Sequence, residues 1–333
     1  MSTVFGAIFV FLTIIALHEF GHFAMAKWAG VRVNEFSIGM GPSVWKQKKG
    51  ETQYSLRALP IGGFVAMEGE EEASDDPRSF NNASVPARMA IVASGAGMNF
   101  ILAFLAFFLG ILLLGYPTTT IGEVMEDRPA AVAGLMPGDK ILAVDGQPAE
   151  EWEEIAPLLG ADGMERVVTI EREGRALEIK VSPQEEEGRF IIGIVPTMEH
   201  HVGRALSDGL KSVFGVLGSI KDALAKIFSG EVSPKQLAGP VGVVQIIGQS
   251  AAQGFASLLL ITGFISANLG FMNLLPIPAL DGGKLLFLII EGIMGRPISP
   301  RIEMALSLVG ITLLFGLMIY VTIFGDIARI MQS

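Results

Sequence analysis

Hydrophobic residues along this chain gather in long runs, with the polar residues between them. Four runs, roughly Val4–Trp28, Ala87–Leu114, Ala256–Leu275 and Ala305–Phe324, predict helices. Each is near the ~20 residues that an α-helix needs to cross a bilayer core. The third run ends early, at Pro276 and Pro278, which predicts irregular backbone there. At membrane depth such backbone persists only where it is buried in protein or lines a wet cavity. Between the first two runs, Val31–Met67 alternates apolar and polar positions around a turn signal at Lys49-Gly50-Glu51. That pattern predicts a β-hairpin or small sheet, closing at Pro60-Ile61-Gly62-Gly63-Phe64.

The longest polar stretch lies between the second and third runs. Short β-like runs at Ile121–Met125, Lys140–Val144, Arg166–Arg172 and Ala176–Val181 alternate with turns such as Pro137-Gly138-Asp139 and Asp145-Gly146. The run from Ala133-Gly134-Leu135 through Pro137-Gly138-Asp139-Lys140-Ile141, followed by Val144-Asp145-Gly146, resembles a PDZ domain. Beyond it, Val202–Phe228 places Leu206, Leu210, Val213, Leu217, Ile220 and Leu224 at helical spacing. Such an amphipathic helix suits either the membrane interface or a place against the spans.

Composition agrees with the membrane reading: half of the residues are hydrophobic and only 17% are charged. The expected fold is a polytopic α-helical membrane protein of about four transmembrane helices, with a cytoplasmic-side β-hairpin or sheet and an inserted extracytoplasmic PDZ (α+β) domain. Its expected parts are a first transmembrane helix over 1–30, the hairpin and a loop over 31–86, and a second helix over 87–116. The PDZ domain follows over 117–185, a linker with the amphipathic helix over 186–254, and the last two transmembrane helices over 255–333.

Sidedness follows from basic residues. The loop after the first span carries Lys27, Arg32, Lys46, Lys48, Lys49, Arg57, Arg78 and Arg88; the loop after the third carries Lys284, Arg296 and Arg301. The positive-inside rule puts both loops in the cytoplasm and the long polar segment outside. The N-terminus lacks the basic region and cleavage site of a signal peptide, so the first span is expected to be retained. No basic tract suggests nucleic acid, and the acidic clusters Glu70-Glu71-Glu72 and Glu185-Glu186-Glu187 read as solvated loops.

Within the first span stands His18-Glu19-Phe20-Gly21-His22. On a helix, His18 and His22 share one face a turn apart and are able to meet one metal ion, with Glu19 offset toward a water on that ion. Charged groups in a span cost ~2.5–3.5 kcal/mol each on insertion scales, and such residues mark function. The chain has no cysteine, so the ligands of any metal are His, Asp or Glu. A zinc site of this kind needs a third protein ligand. Asp281 is the candidate, placed after the broken third run in Asn273-Leu274-Leu275-Pro276-Ile277-Pro278-Ala279-Leu280-Asp281-Gly282-Gly283. Taken alone, an Asp before Gly-Gly reads as a turn residue; beside the two histidines it reads as a ligand. His200 and His201 read as surface residues of the outer segment.

Together these parts resemble the site-2 protease family of intramembrane zinc metalloproteases, in its bacterial RseP/RasP type with a single PDZ domain. The resemblance covers essentially the whole chain. It implies that His18, His22 and Asp281 bind Zn2+ and that Glu19 is the catalytic acid/base. It implies that Asn268, Asn273, Pro276 and Pro278, with the Gly62-Gly63-Phe64 end of the hairpin, help hold substrate. One departure is Lys284, where many relatives carry His. The implied substrates are single-span proteins of the bacterial inner membrane, such as anti-sigma factors or signal-peptide remnants, with the PDZ domain binding or excluding their ectodomains. Two other readings stay open: a non-catalytic PDZ membrane scaffold and a divalent-metal transporter.

Overall fold

The computed structural model describes residues 3–70, 72, 74–159, 163–186, 188–229 and 239–327. Helix α1 (Thr3–Trp28) leads into the paired strands β1 (Val33–Lys49) and β2 (Thr52–Met67), and α2 (Val85–Leu114) follows. The polar stretch folds as β3 (Tyr116–Val124), α3 (Pro129–Ala133), β4 (Lys140–Val144), β5 (Gln147–Pro148), α4 (Trp152–Leu159), β6 (Arg166–Arg172) and β7 (Arg175–Val181). It closes with β8 (Gln184–Glu186), β9 (Arg189–Ile191) and β10 (Ile194–Glu199). Helices α5 (Val202–Phe228), α6 (Pro240–Ala252), α7 (Phe255–Leu274), α8 (Asp281–Met294) and α9 (Pro300–Val321) complete it, the last running into a π-helical turn over Thr322–Ile327.

Two compact units result: 1–110 with 206–333, and 111–205. Among the described residues of the chain, four helices are long and apolar enough to cross a membrane: Thr3–Trp28, Val85–Leu114, Phe255–Leu274 and Arg301–Ile327. Each expected run thus forms a helix of spanning length and hydropathy. In the first unit, Val10 and Ile14 of α1, Leu102 of α2, Ile247 and Ala251 of α6 and Leu258 of α7 bury one another. Small residues bring backbones together, as membrane helices require. A β-carbon on Gly21 of α1 would stand 2.3 Å from Ser94 O of α2, and Ser266 of α7 donates to Asn99 O of α2 at 2.8 Å.

The hairpin is more than a two-strand ribbon. Phe36 faces both Tyr54 and Val65, and Ile38 faces both Leu56 and Gly63, so β2 passes on each side of the first half of β1. Its last stretch, Gly63–Met67, is consequently an edge strand. The predicted turn lies between Lys49 and Thr52.

The second unit holds a sheet in the order β10-β3-β4-β6-β7, with β5 beside β4. Its core is built from Ile121, Ile141, Val144, Ile155, Val168 and Ile170, all fully buried. Asp139 ties the sheet to the turn before it, accepting from Arg172 Nε and Nη2 at 2.7 Å each and from the Met136 amide at 2.8 Å. The runs expected at 140–144 and 166–172 form as strands with those bounds. Two expectations need correction. The first strand is Tyr116–Val124, not Ile121–Met125, because the Thr-rich stretch before Ile121 pairs with β10. The linker expected over 186–254 also holds more than the amphipathic helix. Residues 194–199 belong to the sheet, where Ile194 faces Val124 and Glu199 faces Tyr116, so the folded insert runs past 185. Pro240–Ala252 is a helix, packed on α1 through Ile247 and Ala251. The amphipathic helix itself spans Val202–Phe228 as predicted.

Candidate metal centre

Two consecutive interruptions shape this site. α7 stops at Leu274, because Pro276 and Pro278 remove amide donors and crowd the preceding turn. The chain then bends through Ala279, whose φ of +82° is costly for a residue with a β-carbon. α8 begins at once, with Asp281 in its first turn. Its opening packs back on the bend: a β-carbon on Gly282 would lie 2.1 Å from Leu275 O. Only glycine fits there.

This placement carries the Asp281 carboxylate to the two histidines of α1. His18 Nε2 and His22 Nε2 are 3.3 Å apart. Asp281 Oδ2 lies 3.5 Å from each. The three donor atoms thus form a nearly equilateral triangle, and all three residues are largely buried. Ligand bonds of ~2.0–2.1 Å around a tetrahedral zinc separate neighbouring donors by about 3.3–3.4 Å, which the triangle matches. Asp281 Oδ2 is buried and has no hydrogen-bond partner in the protein. A buried carboxylate oxygen without a donor is expensive, and a cation between the three residues removes that cost. The residues present fit a metal. Among the described residues, no other group of three His, Asp or Glu gathers this way.

The second histidine nitrogens are held by α2. His22 Nδ1 donates to Ile91 O at 2.9 Å. His18 Nδ1 lies 3.2 Å from the Asn99 amide, and Asn99 is fully buried. The amide atom nearest the ring is Nδ2, while Asn99 Oδ1 is buried without a partner; with the amide turned over, Oδ1 accepts from Nδ1–H and Nε2 keeps its lone pair for a metal. Asn99 went unnoticed in the sequence. The available signal was a lone amide within an apolar span, where a buried polar group needs a purpose. Gly95 provides the room: a β-carbon there would stand 2.3 Å from His22 Nε2 and 2.7 Å from His18 Cε1.

Glu19 points to the hairpin side. Its Cγ would be 2.9 Å from a β-carbon on Gly63, so the edge strand lies directly on it. Gly62 precedes at φ +76°, and Phe64 sits under the Arg57 guanidinium, 4.8 Å from the ring centre. The strand borders a groove of 530 Å³ lined by Asn34, Phe64, Val65, Ala66, Met67 and Glu70. Asn273 occupies the last turn of α7, and Pro276 and Pro278 the bend toward Asp281. Asn268 donates to Phe264 O of its own helix at 2.7 Å. Lys284, the departure from the family pattern, pairs with Glu70 at 2.8 Å. His200 and His201 lie in the other unit and are exposed, as expected.

The profile of peptidase family M50 matches residues 6–317. The chain belongs to peptidase family M50. This M50 chain is 37% identical over 322 residues to a Clostridium acetobutylicum protein described as a candidate zinc metalloprotease, covering 95% of both. It is 30% identical over 420 aligned positions to the regulator of sigma-W protease RasP of Bacillus subtilis, covering 99% of both. It is also similar to the solved PDZ domain of an SdrC-like protein from Listeria innocua, at 25% identity and a TM-score of 0.23, over 25% of this chain and 98% of that one. Membership makes the M50 chain a zinc metalloendopeptidase, of a family of membrane proteases.

Proposed function

We propose that this peptidase cuts single-span membrane proteins within or near their transmembrane helices, with His18, His22 and Asp281 holding one zinc ion and Glu19 as general base and acid. The observation that carries the reading is the donor triangle, 3.3 to 3.5 Å on a side, buried beside an edge strand. Zinc, when bound, supplies Lewis-acid polarisation of a peptide carbonyl and acidifies water. Glu19 takes the proton from the attacking water and returns it to the leaving amine. A substrate helix hides its peptide bonds, so it has to unwind. An extended segment then adds to the free edge at Gly62-Gly63-Phe64, where backbone bonds give affinity without sequence preference. Asn273 and, on rotating away from Phe264 O, Asn268 are suited to hydrogen-bond the substrate backbone; Pro276 and Pro278 keep the wall beside it non-helical.

The basic loops support an orientation with the metal end of α1 toward the cytoplasm and residues 111–205 outside the bacterial inner membrane. The turn pattern at Ala133–Gly146 supports a PDZ reading of that outer unit, in which it binds or excludes substrate ectodomains. The relative named regulator of sigma-W protease suggests an anti-sigma factor as the kind of substrate. A scaffold has no use for the triangle, and a transporter needs metal donors along a path rather than at one point.

The test is cleavage by purified full-length protein in lipid vesicles, with a single-span substrate and product ends read by mass spectrometry. Cleavage at a bond near the membrane, abolished by a chelator, restored by zinc and absent in Glu19→Gln, is the expected result. Cleavage that survives both chelator and Glu19→Gln overturns the reading.

A further inference from the structure

Asp281 stands on a helix whose register is not inherited from α7. The bend at 275–280 breaks the helical path, so the angle of α8 about its own axis must be set by side contacts. One face of α8 makes them. Positions 281, 284, 288 and 291 follow one another at three- and four-residue steps, which stack on a single helical stripe. Asp281 meets the histidines, Lys284 meets Glu70, and Leu288 is buried in one hydrophobic cluster with Met67, Phe80, Ile91 and Val92. Glu291 closes the stripe with a two-pronged ion pair to Arg88 of α2, Nη1 to Oε2 at 3.1 Å and Nη2 to Oε1. Both side chains are mostly buried, 9% and 15% exposed. A forked carboxylate–guanidinium pair fixes orientation as well as distance.

Arg88 sits on a stripe of its own. Positions 88, 91, 95 and 99 of α2 also step by three and four. Ile91 O holds His22, Gly95 makes room for both rings, and Asn99 holds His18. We infer that Arg88, acting through Glu291, is a positioning residue for the third metal ligand, so that one face of α2 sets the geometry of all three. This rests on the zinc reading above. Neither Arg88 nor Glu291 touches the ion or the substrate; the pair locks the rotation of α8 and thereby the aim of Asp281.

The experiment measures zinc affinity of full-length protein in detergent by competition with a chelator, in the wild type, Arg88→Gln, Glu291→Gln and the double variant. Asp326→Asn is the control, because Asp326 is also buried and accepts from the Gly239 and Val241 amides at the start of α6 rather than from α8. The single variants should bind zinc about ten- to hundredfold more weakly, the range for lost support of metal ligands. The double variant should be no worse than either single, and Arg88→Lys should keep part of the affinity. Asp326→Asn should lower thermal stability with zinc affinity unchanged. Wild-type affinity in both single variants, or an equal loss in Asp326→Asn, overturns the inference. Absence of zinc binding by the wild type overturns the function instead, so the two failures are distinct. If a single variant does not fold, hydrogen exchange of the wild type decides: α8 should be released with the amides around Arg88 when zinc is removed, and α8 exchange independent of zinc rejects the coupling.

Discussion

Gly63 rests on Glu19: a β-carbon at residue 63 would lie 2.9 Å from Glu19 Cγ and 2.9 Å from Ser37 O. The edge strand and the proposed catalytic carboxylate therefore share a boundary with no room for a methyl group. Gly63→Ala should push Glu19 aside or lift the strand. A displacement near 1 Å can cost about 10²-fold in rate, so cleavage should fall by about that much while zinc stays bound. Steady-state cleavage together with metal content checks this; loss of zinc would place the damage in the ligands instead.

The histidines depend on α2 for their orientation. Asn99→Ala removes the group beside His18 Nδ1 and leaves the ring free to turn. Zinc affinity should fall about 10–100-fold, the range for ligand-supporting residues. Gly95→Ala should be harsher, because its methyl would enter the space of His22 Nε2 at 2.3 Å. Zinc titration of the purified proteins measures both, and an Asn99→Ala protein with wild-type affinity would remove the supporting role.

How far the sequence reaches is clear from these residues. His18, Glu19 and His22 were legible because three polar groups in an apolar helix break the pattern at a metal-binding spacing. Asp281 was legible through the prolines that end α7. That it opens a helix was not, because Gly282 and Gly283 are poor helix formers; tertiary packing on the Leu275 carbonyl overrides that propensity. The spans and the hairpin turn followed from local pattern. The pairing of β10 with β3 did not, since it joins residues 70 to 83 positions apart and β10 carries Pro196, which suits only an edge strand. Arg88 looked like one basic residue of a cytoplasmic loop; its partner lies 203 positions away.

Low pH should loosen the second unit through Asp139. Burial favours its neutral form, but the Arg172 guanidinium and the Met136 amide outweigh that and hold its carboxyl below the usual carboxylate range. Its folded pKa is therefore below the unfolded value of about 3.9. The stabilisation is present above the unfolded value and is lost as pH falls through the folded one. Hydrogen exchange of the β4 and β6 amides in the full chain, corrected for intrinsic rates, should show protection declining from about pH 4 downward. Asp139→Asn should begin less protected and lack that decline; a parallel decline in both would assign it to other groups.

Zinc stoichiometry tests the central claim most directly. Equilibrium dialysis of the purified full-length chain should find one zinc per molecule in the wild type and in Glu19→Gln, whose catalytic carboxylate is gone but whose ligands are intact. His18→Ala, His22→Ala and Asp281→Ala should each lose the ion under the same conditions, and Glu19→Gln should be inactive with its zinc in place. Retention of zinc by Asp281→Ala, or no zinc in the wild type, would contradict the three-residue centre.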